Sequence, residues 1–226
     1  LPFLNGYGGV VKLQISDKKF MCKVMNYEDF HPLRIENGGR GGIPADERRT
    51  PEHAKAMLGA KVWSIGDQDS IHIVSYSFVE GSHIASHSRC VASCIDHLNR
   101  AHKESNLLHC DLHLGNFIFN KADPKKSRII DWDHARNIEH LGNYVRGWLD
   151  LQERHPSAKA GSAISMVHER FSLGQVMMRF RPVLESKLAE WGEICRRAQD
   201  INCDLAEVQR LALEIDCELK FTKDRG

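Results

Sequence analysis

LLHCDLHLGNFIF, residues Leu107 to Phe119, followed by SRIIDWDHA, residues Ser127 to Ala135, is the stretch whose reading decides the fold. Asp111 and Asn116 stand five apart between short apolar runs, and Asp131 follows the apolar pair Ile129-Ile130. Polar residues set between strand-like runs end up at a sheet edge, beside a cleft. A carboxylate and an amide placed there can share a hard divalent ion through oxygen. A second carboxylate can orient an attacking hydroxyl. Transfer of a phosphoryl group needs this kit: little covalent chemistry, much positioning, and cations over the phosphates.

Upstream of this core the chain reads as β structure. Val10, Val11, Leu13 and Ile15 suit one strand and Phe20 to Met25 a second, with a turn at Ser16 to Lys19 and a glycine tip at Gly6, Gly8 and Gly9. A glycine backbone can approach phosphates closely, and Lys23, in the second strand, can pair with them. A buried lysine needs a carboxylate partner. Glu52, in the first turn of a helix that Thr50 and Pro51 begin, is the expected one, with Glu47 as the alternative. Between them lies NGGRGGIP, Asn37 to Pro44, which lacks the lysine and the strand–helix context of a phosphate loop and reads as a linker. Val62 to Ile65 and Ile71 to Val79 are expected as paired strands, and Gly81 as part of a connector out of the sheet.

Downstream the chain turns helical. Val91, Cys94, Ile95 and Leu98 recur at helical spacing within Cys90 to Lys103. Phe171 to Met178 suits a buried helix. Leu184 to Ala198 and Leu205 to Leu219 suit amphipathic ones, the last opened by an Asp204/Glu207 capping box. A β-rich first part and a helical remainder, with the polar motifs just past the boundary, make an α+β chain. The expected division is 1–80 and 81–226.

Composition narrows the functional classes. Of 226 residues, 31 are lysine or arginine and 30 aspartate or glutamate, so a net charge of +1 gives no footprint for nucleic acid. A hydrophobic content of 42% can build a sizeable core. No run of about 18 apolar residues exists to span a membrane. The seven cysteines form no CxxC pair and read as reduced thiols in a cytoplasmic or nuclear setting. Cys90, Cys94 and His97 fall short of a zinc set and read as helix packing. The chain opens at Leu1, as an excised domain or fragment would, and a missing leader would have carried any targeting information. Nothing in it speaks to oligomeric state.

These residues resemble the protein-kinase-like superfamily, which includes protein kinases and the aminoglycoside, choline and related small-molecule kinases. His109-Cys110-Asp111 is similar to the catalytic-loop H-R-D, with Asn116 at the matching distance, and Asp131-Trp132-Asp133 is similar to D-F-G. Glu169 to Gly174, E-x-x-S-L-G, resembles the D-x-x-S-x-G start of a buried large-lobe helix. The resemblance covers roughly residues 4 to 185. It implies a bilobal fold, with a small β-rich N-lobe and a mainly helical C-lobe, that binds ATP and Mg2+. It casts Asp111 as the catalytic aspartate that positions the acceptor hydroxyl. Asn116 and Asp131 become magnesium ligands, and Lys23 the lysine of the α- and β-phosphates. Phe78 to Gly81, with Glu80 and Gly81, becomes the hinge that holds adenine through backbone groups. Asp133 is expected to bind a second ion or to cap the next turn. His113 is expected near the γ-phosphate, or as a loop cap. His109 is expected to pack behind the loop and hold Asp131 or a carbonyl.

The departures have direction. His113 stands where protein kinases carry a lysine, D-L-H-x-G-N and I-D-W-D are more like the small-molecule kinases, and no A-P-E follows Asp131. The expected activity is therefore ATP- and Mg2+-dependent transfer of the γ-phosphate to a hydroxyl on a small molecule. A protein acceptor is the alternative, as in an atypical serine/threonine kinase or an effector of the Crinkler class, which the compact lobe and D-x-D ending also resemble. A kinase-like scaffold that binds ATP without transfer, or a metal-dependent phosphodiesterase built on Asp111, Asp131 and Asp133, are readings from other classes.

Overall fold

The computed structural model describes residues 10–15, 17–26, 50–65, 71–139, 141, 153–158 and 162–222. Strands β1 (Val10–Ile15) and β2 (Lys18–Asn26) form a hairpin with Val10 opposite Lys23. After α1 (Thr50–Leu58), strands β3 (Lys61–Ile65) and β4 (Ile71–Ser77) complete an antiparallel sheet of order β1-β2-β4-β3. Successive side chains on a strand alternate between faces. Lys23 and Met21 therefore share one face with Val74 and Tyr76, their cross-strand partners.

The connector after β4 is tied down at once. Ser82 N donates to Phe119 O at 3.0 Å, and Phe119 N donates to Ser82 O at 2.7 Å. Gly81 makes this closeness possible, since a Cβ there would sit 2.5 Å from Phe119 O.

The rest is mainly helical: α2 (Ser88–Glu104), α3 (Met166–Met178), α4 (Leu188–Gln199) and α5 (Leu205–Glu214). Leu98, Leu173, Trp191 and Val208, one from each helix, meet in the main core. Burying a Leu or Val side chain in this way stabilises by about 1.5–3 kcal/mol. Gly174 lets α3 approach the end of α4, where a Cβ would fall 2.2 Å from Gln199 Cγ. Buried Arg170 donates to the carbonyls of Ala198, Arg197 and Cys203 at 2.6, 3.0 and 3.0 Å. It caps the carbonyl end of α4 with a cation. The order, a β-sheet followed by a mostly helical region, is the bilobal kinase-like layout expected.

The last helix is shorter than its periodicity suggests. It ends at Glu214, Asp216 takes a left-handed conformation (φ 40°), and Leu219–Phe221 forms strand β10 against β9 (Phe180–Pro182). Cys217 N donating to Ser88 Oγ at 3.1 Å pulls the chain out of helix there. Asp204 does cap α5, accepting from Ala206 N at 2.9 Å. The Glu207 carboxylate turns outward to Arg210 instead of closing the box.

Candidate active site

Four two-residue strands bring the polar motifs together. Strand β5 (Leu107–Leu108) pairs with β8 (Arg136–Asn137), and β6 (Phe117–Ile118) pairs with β7 (Arg128–Ile129). Asp111 and Asn116 fall between β5 and β6, and Asp131 falls between β7 and β8. The two loops are stitched directly, with Ile130 N donating to Asn116 O at 2.8 Å. His109 Nε2 donates to Ile130 O at 2.9 Å, while its Nδ1 accepts from Asp111 N at 3.3 Å. The ring packs edge-on against buried Trp132, with centroids 4.6 Å apart. His109 thus holds a carbonyl behind the loop.

The loop is also held from below by Glu169, in the first turn of α3. Its Oε1 accepts from His109 N at 2.9 Å and its Oε2 from Cys110 N at 2.8 Å. His102 Nε2 lies 2.9 Å from Oε1. Burial pushes the Glu169 carboxyl up, but the hydrogen bond with His102, the electrostatic pull of the neighbouring imidazoles and the backbone donor outweigh it and hold the group below its usual range. Cys110, between the two clamped amides, adopts φ 63°. A non-glycine residue in this region stores strain that the surrounding bonds must hold.

Asp111 is largely enclosed by side chains. Arg154 Nη2 donates to its Oδ1, and Arg154 Nη1 donates to Cys110 O at 2.9 Å. Asn116 Nδ2 donates to Asp111 O at 2.9 Å and to Oδ2 at 3.3 Å. His113 Nε2 stands 3.7 Å from Oδ2, while its Nδ1 accepts from Gly115 N at 3.1 Å and caps the short turn Leu114–Asn116. Burial holds the His113 ring below the usual histidine value, against the opposing pull of Asp111.

Asp131 faces the sheet. It takes φ 61°, and its Oδ1 accepts from Lys23 Nζ at 2.9 Å. Burial raises its carboxyl, but the charge and hydrogen bond of Lys23 prevail and leave it below the ordinary value, hence ionised near neutrality. Tyr76, on the Lys23 face, is pushed up to about 12, first by burial and then by the negative charge of Asp131. His134 is lowered to about 4, chiefly by burial, and is neutral near pH 7.

The structure therefore brings Lys23, Asp111, His113, Asn116 and Asp131 into one connected constellation. Glu80 and Gly81 lie in the connector, where the Glu80 carboxylate takes Lys19 Nζ at 2.7 Å. Gly6, Gly8 and Glu47 lie outside the described residues, as do the side chains of Glu52 and Asp133. Arg154 was not anticipated. Its neighbourhood, LQERHPSAKAG, has no periodicity, and nothing in it signals a partner 43 residues upstream.

The donor chemistry suits a hard divalent cation. Asn116 spends its amide N–H on Asp111, and its Oδ1 has no hydrogen-bond partner among the described residues. Asp131 likewise gives only Oδ1 to Lys23. An amide oxygen and a carboxylate oxygen, on loops bonded to each other, are Mg2+-type ligands. Among the described residues no three His, Cys, Asp or Glu side chains converge as a metal cluster. No helix among them is long and apolar enough to cross a membrane.

Residues 65–139 match the family model APH, the phosphotransferase enzyme family. The match spans about a third of the chain, from β3 through the Asp111 loop to β8. It agrees with the protein-kinase-like resemblance and supports an enzymatic activity of the phosphotransferase type. No curated protein matches the chain in sequence.

Proposed function

We propose that the chain transfers the γ-phosphate of ATP to a hydroxyl group, with a small molecule as the favoured acceptor. The observation that carries this reading is the connected set Lys23–Asp131 and Asn116–Asp111, joined through the Ile130–Asn116 backbone bond. The phosphotransferase match over residues 65–139 supports the reaction class.

In this reading Asp111 aligns the acceptor hydroxyl and takes its proton. The hydroxyl oxygen bonds to the γ-phosphorus as the bridge to the β-phosphate breaks, and ADP leaves with that electron pair. Lys23 exchanges Asp131 for the α- and β-phosphates and steadies them. Asn116 and Asp131 are the residues that would hold Mg2+, which when bound spreads positive charge over the phosphates. His113 keeps the short turn before Asn116 in shape and lines the acceptor side of Asp111. Glu80 and Gly81 lie in the connector segment assigned to adenine, and Gly6, Gly8 and Glu52 are assigned to the phosphates and to Lys23.

The experiment is an acceptor screen with labelled ATP over aminoglycosides, choline, sugars and generic proteins, run with and without Mg2+. Transfer to a small molecule that disappears in Asp111→Ala supports the reading. Transfer to protein alone moves it to the protein-acceptor class. Nucleotide binding with no transfer to any acceptor or to water would make the chain a binding scaffold.

A further inference from the structure

In the transfer reading Lys23 serves the α- and β-phosphates, and Asn116 and Asp131 serve the metal ion. That leaves the far side of the γ-phosphoryl group, which faces Asp111. As the acceptor oxygen bonds to phosphorus and the bridge to ADP breaks, negative charge stays on the three peripheral oxygens. Those oxygens are then pressed toward a carboxylate. Two anionic groups brought this close repel each other, and a cation between them relieves it.

Arg154 stands at that place. Its Nη2 donates to Asp111 Oδ1 and its Nη1 to Cys110 O at 2.9 Å. A hydroxyl bonded to the same carboxylate lies about 2.7 Å from it, and the phosphorus it attacks about 3–3.5 Å beyond. The guanidinium is therefore a neighbour of the reacting atoms and not only of the loop. His113, beside the other carboxylate oxygen, is 3.7 Å away, beyond hydrogen-bond reach. Arg154 is also held in place. Glu153 takes Arg179 Nη2 at 3.3 Å, Ser157 Oγ lies 3.0 Å from His168 Nε2, and the His155 ring packs edge-on against Phe171 with centroids 4.9 Å apart. His168 and Phe171 belong to α3, the helix whose Glu169 clamps the Asp111 loop. Base and cation thus share one support. A buried charge fixed in advance acts on a transition state without reorganisation.

We propose that Arg154 is a further catalytic residue, the cation that the chain applies to the transferring phosphoryl group. The inference rests on the transfer reading above. In the resting chain the guanidinium braces Asp111. With ATP and acceptor bound it turns one N–H to a γ-phosphoryl oxygen and keeps its hold on the Cys110 carbonyl. A planar fork of five donors can hold the carbonyl, the base and the phosphoryl oxygen at once. No bond to Arg154 forms or breaks, and its charge is the same before and after. The contact tightens as charge gathers on the transferring group, so it favours the transition state over bound ATP.

The test is a calorimetric titration of the full chain with ADP and with ADP plus aluminium fluoride, a stand-in for the transferring phosphoryl group, both with Mg2+. The parent is expected to bind the fluoride complex more tightly than ADP. Arg154→Gln should weaken the complex by about 10- to 100-fold, the loss of one charge-assisted contact, and ADP by less than about threefold. Arg154→Lys, with the charge but not the fork, should lose about three- to tenfold on the complex. Equal losses for ADP and for the complex would make the arginine a structural brace alone and overturn the inference, as would an unchanged affinity for the complex. Either result leaves the transfer reading standing. A parent that binds no ADP, or binds the complex no better than ADP, removes the transfer reading and the inference with it. If Arg154→Gln melts below the assay temperature, the same comparison in Arg154→Lys decides the outcome.

Discussion

Arg154 lies across the carboxylate of Asp111, with Nη2 on Oδ1 and Nη1 on the carbonyl of Cys110 at 2.9 Å. The guanidinium is buried. It braces the loop from a segment more than 40 residues away in sequence. A hydroxyl that approaches Asp111 must share the carboxylate with this cation or displace it. Replacing Arg154 with Gln is expected to lower kcat by roughly 10- to 100-fold, with nucleotide affinity changed by less than about threefold. Arg154→Lys should recover only part of the loss, because an ammonium cannot span the carboxylate and the carbonyl as a planar fork does. Steady-state kinetics beside nucleotide titration measure this. An unaltered kcat in Arg154→Gln would leave the arginine a purely structural brace.

Asp111→Asn keeps the shape of the loop and removes the proton acceptor. Positioned general bases contribute about 10²–10⁴-fold. Transfer should fall by that order while an ATP analogue still binds, as read by single-turnover assay and calorimetry. Residual transfer within a few-fold of the parent would exclude Asp111 as the base.

Glu169 is a fully buried carboxylate that satisfies two backbone amides and a histidine. Its removal in Glu169→Ala strands those donors, at a cost of about 3–5 kcal/mol of stability. Urea unfolding monitored by tryptophan fluorescence tests this. A variant as stable as the parent would show that water replaces the carboxylate easily.

His97 is neutral and buried, its value lowered from 6.5 to about 4, chiefly by burial. Between those two pH values the unfolded chain binds a proton that the folded chain refuses. The resulting stability is complete above pH 6.5 and is lost as the pH falls toward 4, at about 1.4 kcal/mol per unit. Thermal melts of the parent should therefore drop more steeply from pH 6.5 to 4.5 than those of His97→Gln, which should be less stable at pH 7.5 and flatter with pH. Parallel slopes would remove His97 from the acid sensitivity.

Gly81→Ala places a methyl group 2.5 Å from Phe119 O, on the ladder that ties the connector to β6. Overpacking of this kind costs about 1–3 kcal/mol. The melting temperature should fall accordingly, and hydrogen exchange should quicken at Ser82 and Phe119, whose amides make that ladder. Unchanged exchange at both would mean that the backbone shifts to accept the methyl.

What could be read from sequence was local. Alternation in VVKLQI, the apolar face of α2, the five-residue spacing of Asp111 and Asn116, and the place of Asp131 just after Ile129-Ile130 each depend on neighbours within a turn or a strand. The E-x-x-S-L-G string marked Glu169, yet its partners, His109 and Cys110, follow only from the way α3 lies under the loop. Arg154 carries no local pattern, and its role comes wholly from where tertiary packing sets residues 153–158. The end of α5 was overridden in the same way. The apolar spacing that runs from Leu205 through Ile215 to Leu219 would continue the helix, but the Cys217–Ser88 bond and the β9–β10 pairing redirect the chain.

The Glu169 clamp has a consequence in time. Its two bonds to the loop join residues 60 and 59 positions apart, so neither can form until a long stretch of chain has closed. The loop that holds Asp111 is thus among the later parts of the molecule to mature during refolding. A chain whose helices have condensed should remain inactive until α3 docks, and regain of activity should trail the recovery of helical circular dichroism.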